Sequence, residues 1–104
     1  MFDTEKADVN PESDATLKEI AKLLQQDPKL NLYVVGHSDN QGTLDANIDL
    51  SMRRANSVIL AFTGKHGVTG ARLKALGDGP SAPVASNDSD DGRAKNRRVE
   101  LVKQ

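Results

Sequence analysis

Apolar residues in this chain keep a helical period in two stretches and a strand-like density in three others. Leu17, Ile20, Ala21 and Leu24 fall at i, i+3, i+4 and i+7, the spacing that lines one face of an α-helix. Ahead of them, Asn10-Pro11-Glu12 supplies an N-cap, a proline for the first helical position and an acid for the first turn, and Pro28 stops the pattern. A first helix is predicted over 11–27. Leu30 to Gly36 packs Leu30, Leu32, Tyr33, Val34 and Val35 into a run too short for a helix, which reads as a buried strand. His37 to Asn47 is polar and contains Gly42; it is predicted as a loop with room for one helical turn near Asp45. Ser51 then suits an N-cap for a second helix over about 52–65, where Ala55, Val58, Ile59 and Phe62 hold the helical period until Gly64 and Gly67 end it. Arg72 to Gly77 alternates through Leu73, Ala75 and Leu76 as a further strand, and Gly77-Asp78-Gly79-Pro80 breaks it. Ser81 to Gly92 reads as a surface loop and Val99 to Val102 as the last strand, with Phe2 closing a first one.

The resulting order, β-α-β-α-β-loop-β, predicts an α/β (α+β) two-layer sandwich with two main helices on one face of a mixed sheet. At 104 residues the chain is expected to form one domain, 1–104, and to bury about two-thirds of its unfolded surface without a covalent staple. Cysteine is absent, which removes disulfides, thiolate metal sites and cysteine nucleophiles together. The aromatic residues are Phe2, Tyr33 and Phe62, too few for the stacking platforms of single-strand nucleic-acid binding. A formal net charge of −1 exerts little long-range pull on a polyanion. Charge is unevenly placed, with seven acids against three bases over 1–28 and four acids against five bases over 88–104. No apolar run approaches the roughly 18 residues of a spanning helix. Any membrane attachment is expected through a region outside these residues.

Candidate chemistry gathers where the Leu30–Gly36 strand ends. His37, Ser38, Asp39, Asn40 and Gln41 crowd the position at which α/β sheets tend to place ligands. Arg53 and Arg54 are predicted in the first turn of the second helix, where the macrodipole disfavours cations. Together with the free N–H groups of a helix start they suggest a carboxylate or phosphate site, against the plainer reading of surface pairs with Asp45 or Asp49. In that position Arg54→Ala is expected to change stability little. His37, Ser38 and Asp39 have the residue types of a hydrolase triad, but chain neighbours in extended backbone alternate faces, and no G-x-S-x-G or H-E-x-x-H motif is present. No catalytic role is therefore expected. No metal or cofactor is expected either: His66 is the only other histidine, and a calcium loop starting at Asn87 would place Arg98 where a bidentate Glu is required. Arg93, Lys95, Arg97 and Arg98 stand beside Asp88, Asp90 and Asp91 and read as a solvated basic edge, with no nucleic-acid partner. One of Arg97 or Arg98 is expected beside the pocket of Asp39 and Arg54; Arg97 is the candidate, and the sequence leaves the choice open.

Five linked segments resemble the OmpA-like C-terminal domain, in order and at the expected separations. They are V-V-G-H-S-D-N-Q-G from Val34, N-I-D-L-S-M-R-R-A-N-S-V from Asn47, R-L-K-A-L-G-D-G from Arg72, P-V-A-S-N from Pro83 and G-R-A-K-N-R-R-V-E from Gly92. The opening Phe2-Asp3 and the Asn10-Pro11-Glu12 stretch also look like the family's beginning. Two departures stand out: Ser38 replaces a commoner Thr, and Ala46 occupies a position that is aromatic in many members. The resemblance implies non-covalent binding of bacterial peptidoglycan through the diaminopimelate of its stem peptide, in the periplasm and at the outer membrane and cell wall of a Gram-negative bacterium. It implies that Asp39 meets the ligand's ammonium and Arg54 its carboxylate. Thr43, Asn47 and Leu50 then shape the pocket, and Phe2 and Asp3 touch the ligand from the end of the first strand. The competing functions are a hydrolase of wall peptides and a scaffold that binds only envelope proteins.

Overall fold

The burial of apolar faces predicted above organises the computed structural model, which describes residues 14–104. Helix α1, Asp14–Gln26, buries Leu17, Ala21 and Leu24. Its predicted start at Asn10-Pro11-Glu12 and the strand predicted at Phe2 lie outside the described residues. No basic residue occupies the last turn of α1. Arg72 supplies the missing cation from afar, donating to the carbonyls of Leu24 at 2.7 Å, Asp27 at 2.6 Å and Leu30 at 2.7 Å. One guanidinium thus satisfies carbonyls that a helix end leaves orphaned.

Among the described residues the sheet has three strands: β1 (Leu32–Gly36), β2 (Leu73–Gly77) and β3 (Val99–Lys103), in the order β2-β1-β3. β1 pairs parallel with β2, Leu32 opposite Leu73, and antiparallel with β3, Leu32 opposite Lys103. Parallel pairing requires a crossover, and helix α2, Leu44–Lys65, provides it. Leu32 and Val34 point into the core with Ala55, Val58, Phe62 and Leu73. This is the expected α+β arrangement, with a mixed sheet and the main helices packed over its core face.

Two predicted boundaries are corrected. Helix α2 begins at Leu44 with Thr43 as its N-cap, the Thr43 hydroxyl accepting from the Ala46 amide at 3.2 Å. Ser51 is therefore no cap: it sits fully buried in mid-helix, its hydroxyl donating to the Ile48 carbonyl at 2.7 Å and accepting from the Gly79 amide at 2.9 Å. The buried stripe of α2 runs Asn47, Leu50, Ser51, Arg54, Ala55, Val58 and Phe62, at regular helical spacing throughout. Its first half contains polar side chains, so a search for apolar periodicity finds only the second half. The other correction begins at the end of the predicted Ser81–Gly92 loop, where Asp90–Asn96 forms a short helix, α3, that runs on past it. Ser89 caps it by accepting from the Gly92 amide at 3.0 Å, and Asp90 and Asp91 occupy its first turn, where acids complement the helix dipole. Asn96 has no exposed surface; its amide takes the Val84 and Ala85 N–H groups at 2.8 and 3.1 Å and donates to Ala85 and Asn87. The residues ahead of α3 are thereby fastened to it.

Close approach of α2 to the strand ends depends on two glycines. A Cβ on Gly36 would lie 1.8 Å from the Ser51 carbonyl oxygen, and one on Gly77 would lie 2.9 Å from the Met52 nitrogen. The middle of α2 consequently rests on the ends of β1 and β2, next to the polar segment that follows β1.

Candidate functional site

That polar segment leaves β1 already paired. The His37 amide donates to the Arg98 carbonyl at 2.8 Å, the Ser38 amide to Gly79 at 2.9 Å and the Asp78 amide to Gly36 at 3.0 Å. His37, Ser38 and Asp39 are all buried as a result. The Asp39 carboxylate accepts from the Gln41 amide at 3.0 Å through one oxygen and from Arg97 Nη1 at 3.0 Å through the other. Arg97 stands at the C-cap of α3. Arg98 instead turns to Glu100 and to the Ala82 carbonyl. Of the two arginines left open by the sequence, the structure brings Arg97 to Asp39.

Arg54 stands in the third turn of α2, not the first, so the predicted opposition to the helix dipole does not apply. The guanidinium has no exposed surface, and its Nη1 donates to the His37 carbonyl at 3.1 Å. Burial draws it down to about 10, against the pull of the Asp39 carboxylate, with Arg97 and Arg53 adding to the fall. It remains a cation at neutral pH. Asp39, Arg54 and Arg97 therefore form one electrostatically coupled cluster contributed by three separate parts of the chain.

Beside the cluster, the start of α2 and the loop before it enclose a cleft of about 320 Å³ lined by Gln41, Gly42, Ala46, Asn47, Leu50 and Arg53. Asn47 and Leu50 are thus placed on the cleft, and Asn47 Nδ2 donates to the Gln41 carbonyl at 2.8 Å. Thr43 is exposed and caps the helix that carries them. Phe2 and Asp3 lie outside the described residues. Gln41, named in the polar run after β1, and Ala46, which stands where many family members have an aromatic residue, both line the cleft; Gly42 does too, and the sequence offered it only as part of a loop. Arg53 forms the expected surface pair with Asp49, at 3.0 Å.

His37 and Ser38 do not meet as base and nucleophile. The Ser38 hydroxyl donates to the Asp39 carbonyl at 2.8 Å. Neither His37 ring nitrogen has a hydrogen-bond partner among the described residues. Burial and, secondly, the Arg98 guanidinium hold the imidazole below its ordinary value, against opposite pulls from Glu100 and Asp78.

A model of the OmpA family matches residues 1–97. Outer membrane porin F of Pseudomonas aeruginosa is 44% identical over 99 residues, which make up 95% of this chain and 28% of that protein. The peptidoglycan-binding protein ArfA of Mycobacterium tuberculosis is 36% identical over 101 residues, 97% of this chain and 31% of that protein. The chain spans less than half the length of the curated relatives it matches. The crystal structure of the peptidoglycan-associated lipoprotein from Burkholderia pseudomallei superimposes with a TM-score of 0.93 at 32% identity, covering 99% of this chain and 86% of that one. In sequence and in fold, the chain belongs to the OmpA family.

Proposed function

We propose that this chain is a non-covalent peptidoglycan-binding module that recognises the diaminopimelate of the stem peptide, which carries both an ammonium and a carboxylate. Asp39 takes the ammonium and Arg54 the carboxylate; Asn47 and Leu50 line the approach, Thr43 fixes the helix that bears them, and Arg97, Phe2 and Asp3 complete the site. The observation that carries the reading is the convergence of a buried carboxylate and a buried guanidinium beside an open cleft. Charges removed from water bind opposite charge more strongly than exposed ones. Arg54 has no exposed surface, so a ligand carboxylate reaches it only as the side chains around it shift. The likeness to the peptidoglycan-binding protein ArfA and to the peptidoglycan-associated lipoprotein of Burkholderia pseudomallei supports the same ligand class.

Binding without hydrolysis is supported by the Ser38 hydroxyl, which is engaged by the neighbouring carbonyl and holds no hydrogen bond with His37. In the cell the module would tie an outer-membrane or other envelope protein to the wall of a Gram-negative bacterium from the periplasmic side, with membrane attachment supplied from outside this chain. Incubation with purified sacculi tests the reading. The chain is expected in the pellet, with no soluble muropeptide released. Protein left in the supernatant would exclude wall binding, and released muropeptide would replace binding with hydrolysis.

A further inference from the structure

We propose, building on the reading above, that His37 is a positioning residue that couples occupancy of the Asp39–Arg54 site to pH. Its main chain already links the parts concerned. The His37 amide donates to the Arg98 carbonyl at 2.8 Å, and its carbonyl accepts from Arg54 Nη1 at 3.1 Å. The side chain is 3% exposed, yet neither Nδ1 nor Nε2 has a hydrogen-bond partner among the described residues. Buried polar atoms in folded proteins are nearly always satisfied, so an imidazole with both nitrogens unsatisfied is an exception that asks for a role.

Charged groups stand around this residue on the described elements beside it. Glu100 of β3 places Oε1 3.8 Å from Nε2, too far for a hydrogen bond and close enough for an ion pair. Arg98, just ahead of β3, holds that carboxylate through Nε at 2.7 Å and Nη2 at 2.6 Å, while its own Nη1 is buried without a partner among the described residues. Asp78, after β2, adds a weaker attraction, and Arg54 of α2 reaches the carbonyl. With the imidazole neutral, Glu100 belongs to Arg98. A proton on the ring creates a second cation competing for the same carboxylate, and closing the 3.8 Å gap disturbs both the ring and Arg98. Each is wired to the site: His37 through its carbonyl to Arg54, and Arg98 through the preceding residue, Arg97, to the Asp39 carboxylate. Acidification therefore loosens both charges that the ligand needs, and affinity falls. A ring that merely fills space would leave affinity and the Arg54 environment insensitive to its protonation.

The test titrates the ¹⁵N-labelled chain from pH 7.5 down to the acid pH at which the His37 ring's own nitrogen resonances show it protonated, as wild type, His37→Gln and Glu100→Gln. It reads the Arg54 side-chain N–H resonance and the affinity for a diaminopimelate-containing muropeptide. In the wild type the Arg54 resonance is expected to move with a single titration and the affinity to fall about fivefold at the acid pH, the lower end of ordinary coupling between sites. Both pH effects should vanish in His37→Gln and shrink in Glu100→Gln. An Arg54 resonance that stays still in the wild type, or a pH response unchanged in His37→Gln, overturns the proposal. Should His37→Gln fail to fold, Glu100→Gln decides, since Glu100 is half-exposed; an unaltered pH response there overturns the proposal too. Absence of muropeptide binding at either pH would refute the function proposed above, while the Arg54 resonance would still decide the coupling.

Discussion

Arg54 heads the fully buried side chains of the described structure by volume, and its position overturns the expectation that its removal leaves folding untouched. Truncation to alanine takes away the hydrogen bond to the His37 carbonyl, leaves a cavity against β1 and strips Asp39 of a compensating charge. Removing one partner of a buried charge pair costs about 3–5 kcal/mol, so Arg54→Ala is expected to lose stability of that order in urea denaturation. Arg54→Lys keeps the charge but not the planar fork and should lose less. A stability equal to wild type in Arg54→Ala would show that the guanidinium is not held as described. His37 carries a second expectation at this scale. Its folded-state value lies below the ordinary one, so between the two the unfolded chain binds more protons than the folded chain. Stability should therefore fall as the pH drops through about 6.5 and level off below the folded-state value. His37→Gln should flatten the slope of stability against pH between 6.5 and 5, and an unchanged slope would mean that the ring contributes none of it. Asp39, Arg54 and Arg97 were legible in the sequence as residue types in family-like segments. What lay beyond reach was the burial of Asp39 and Arg54, because burial of a charge is decided by partners 15 or more positions away and local spacing does not record it.

The elements were readable wherever apolar side chains carry the pattern. Helix α1, the second half of α2 and all three strands follow from it, whereas the first two turns of α2 do not, since Asn47 and Ser51 occupy buried positions that apolar residues usually fill. Thr43 and Asp45 were in place as cap and first-turn acid, but Ser51 offered a competing cap nearer the apolar run. Helix α3 escaped for a related reason: its buried face consists of Gly92 and Asn96. Asn96 is the residue through which α3 holds the preceding segment, and α3 in turn carries Arg97 to Asp39. Asn96→Ala would leave the part-buried Val84 and Ala85 amides without their acceptor, and since water can reach Val84 the loss falls towards the low end of the about 1–3 kcal/mol that a buried unsatisfied group costs. The variant is expected to melt lower than wild type and to show faster hydrogen exchange over 82–97, with the core of α1 and β1 less affected. Uniform protection in the variant would contradict the role given to this side chain.

Across the whole molecule, one end of the sheet is assembled from polar side chains while the opposite half of the same helical layer packs apolar ones. The OmpA fold lets α2 serve both ends, its Val58 and Phe62 closing the core and its Asn47, Leu50 and Arg54 flanking the segment that leaves β1. The glycines at the ends of β1 and β2 permit the approach, and the arginine at the end of α3 completes the charge cluster. On the function proposed above, such a site would select by charge as well as by shape: it would suit a ligand with ammonium and carboxylate in one small unit, and a neutral amide in place of that carboxylate would leave Arg54 without the ligand's anion. The most direct test is therefore calorimetric titration of the unmodified chain with two muropeptides that differ only in whether the diaminopimelate carboxylate is free or amidated. Binding of the amidated form is expected to be weaker by about 2 kcal/mol, the lower range for depriving a desolvated charge of its partner, or roughly 30-fold in affinity. Equal affinity for the two would contradict the assignment of Arg54 to the ligand's carboxylate, and with it the site as drawn.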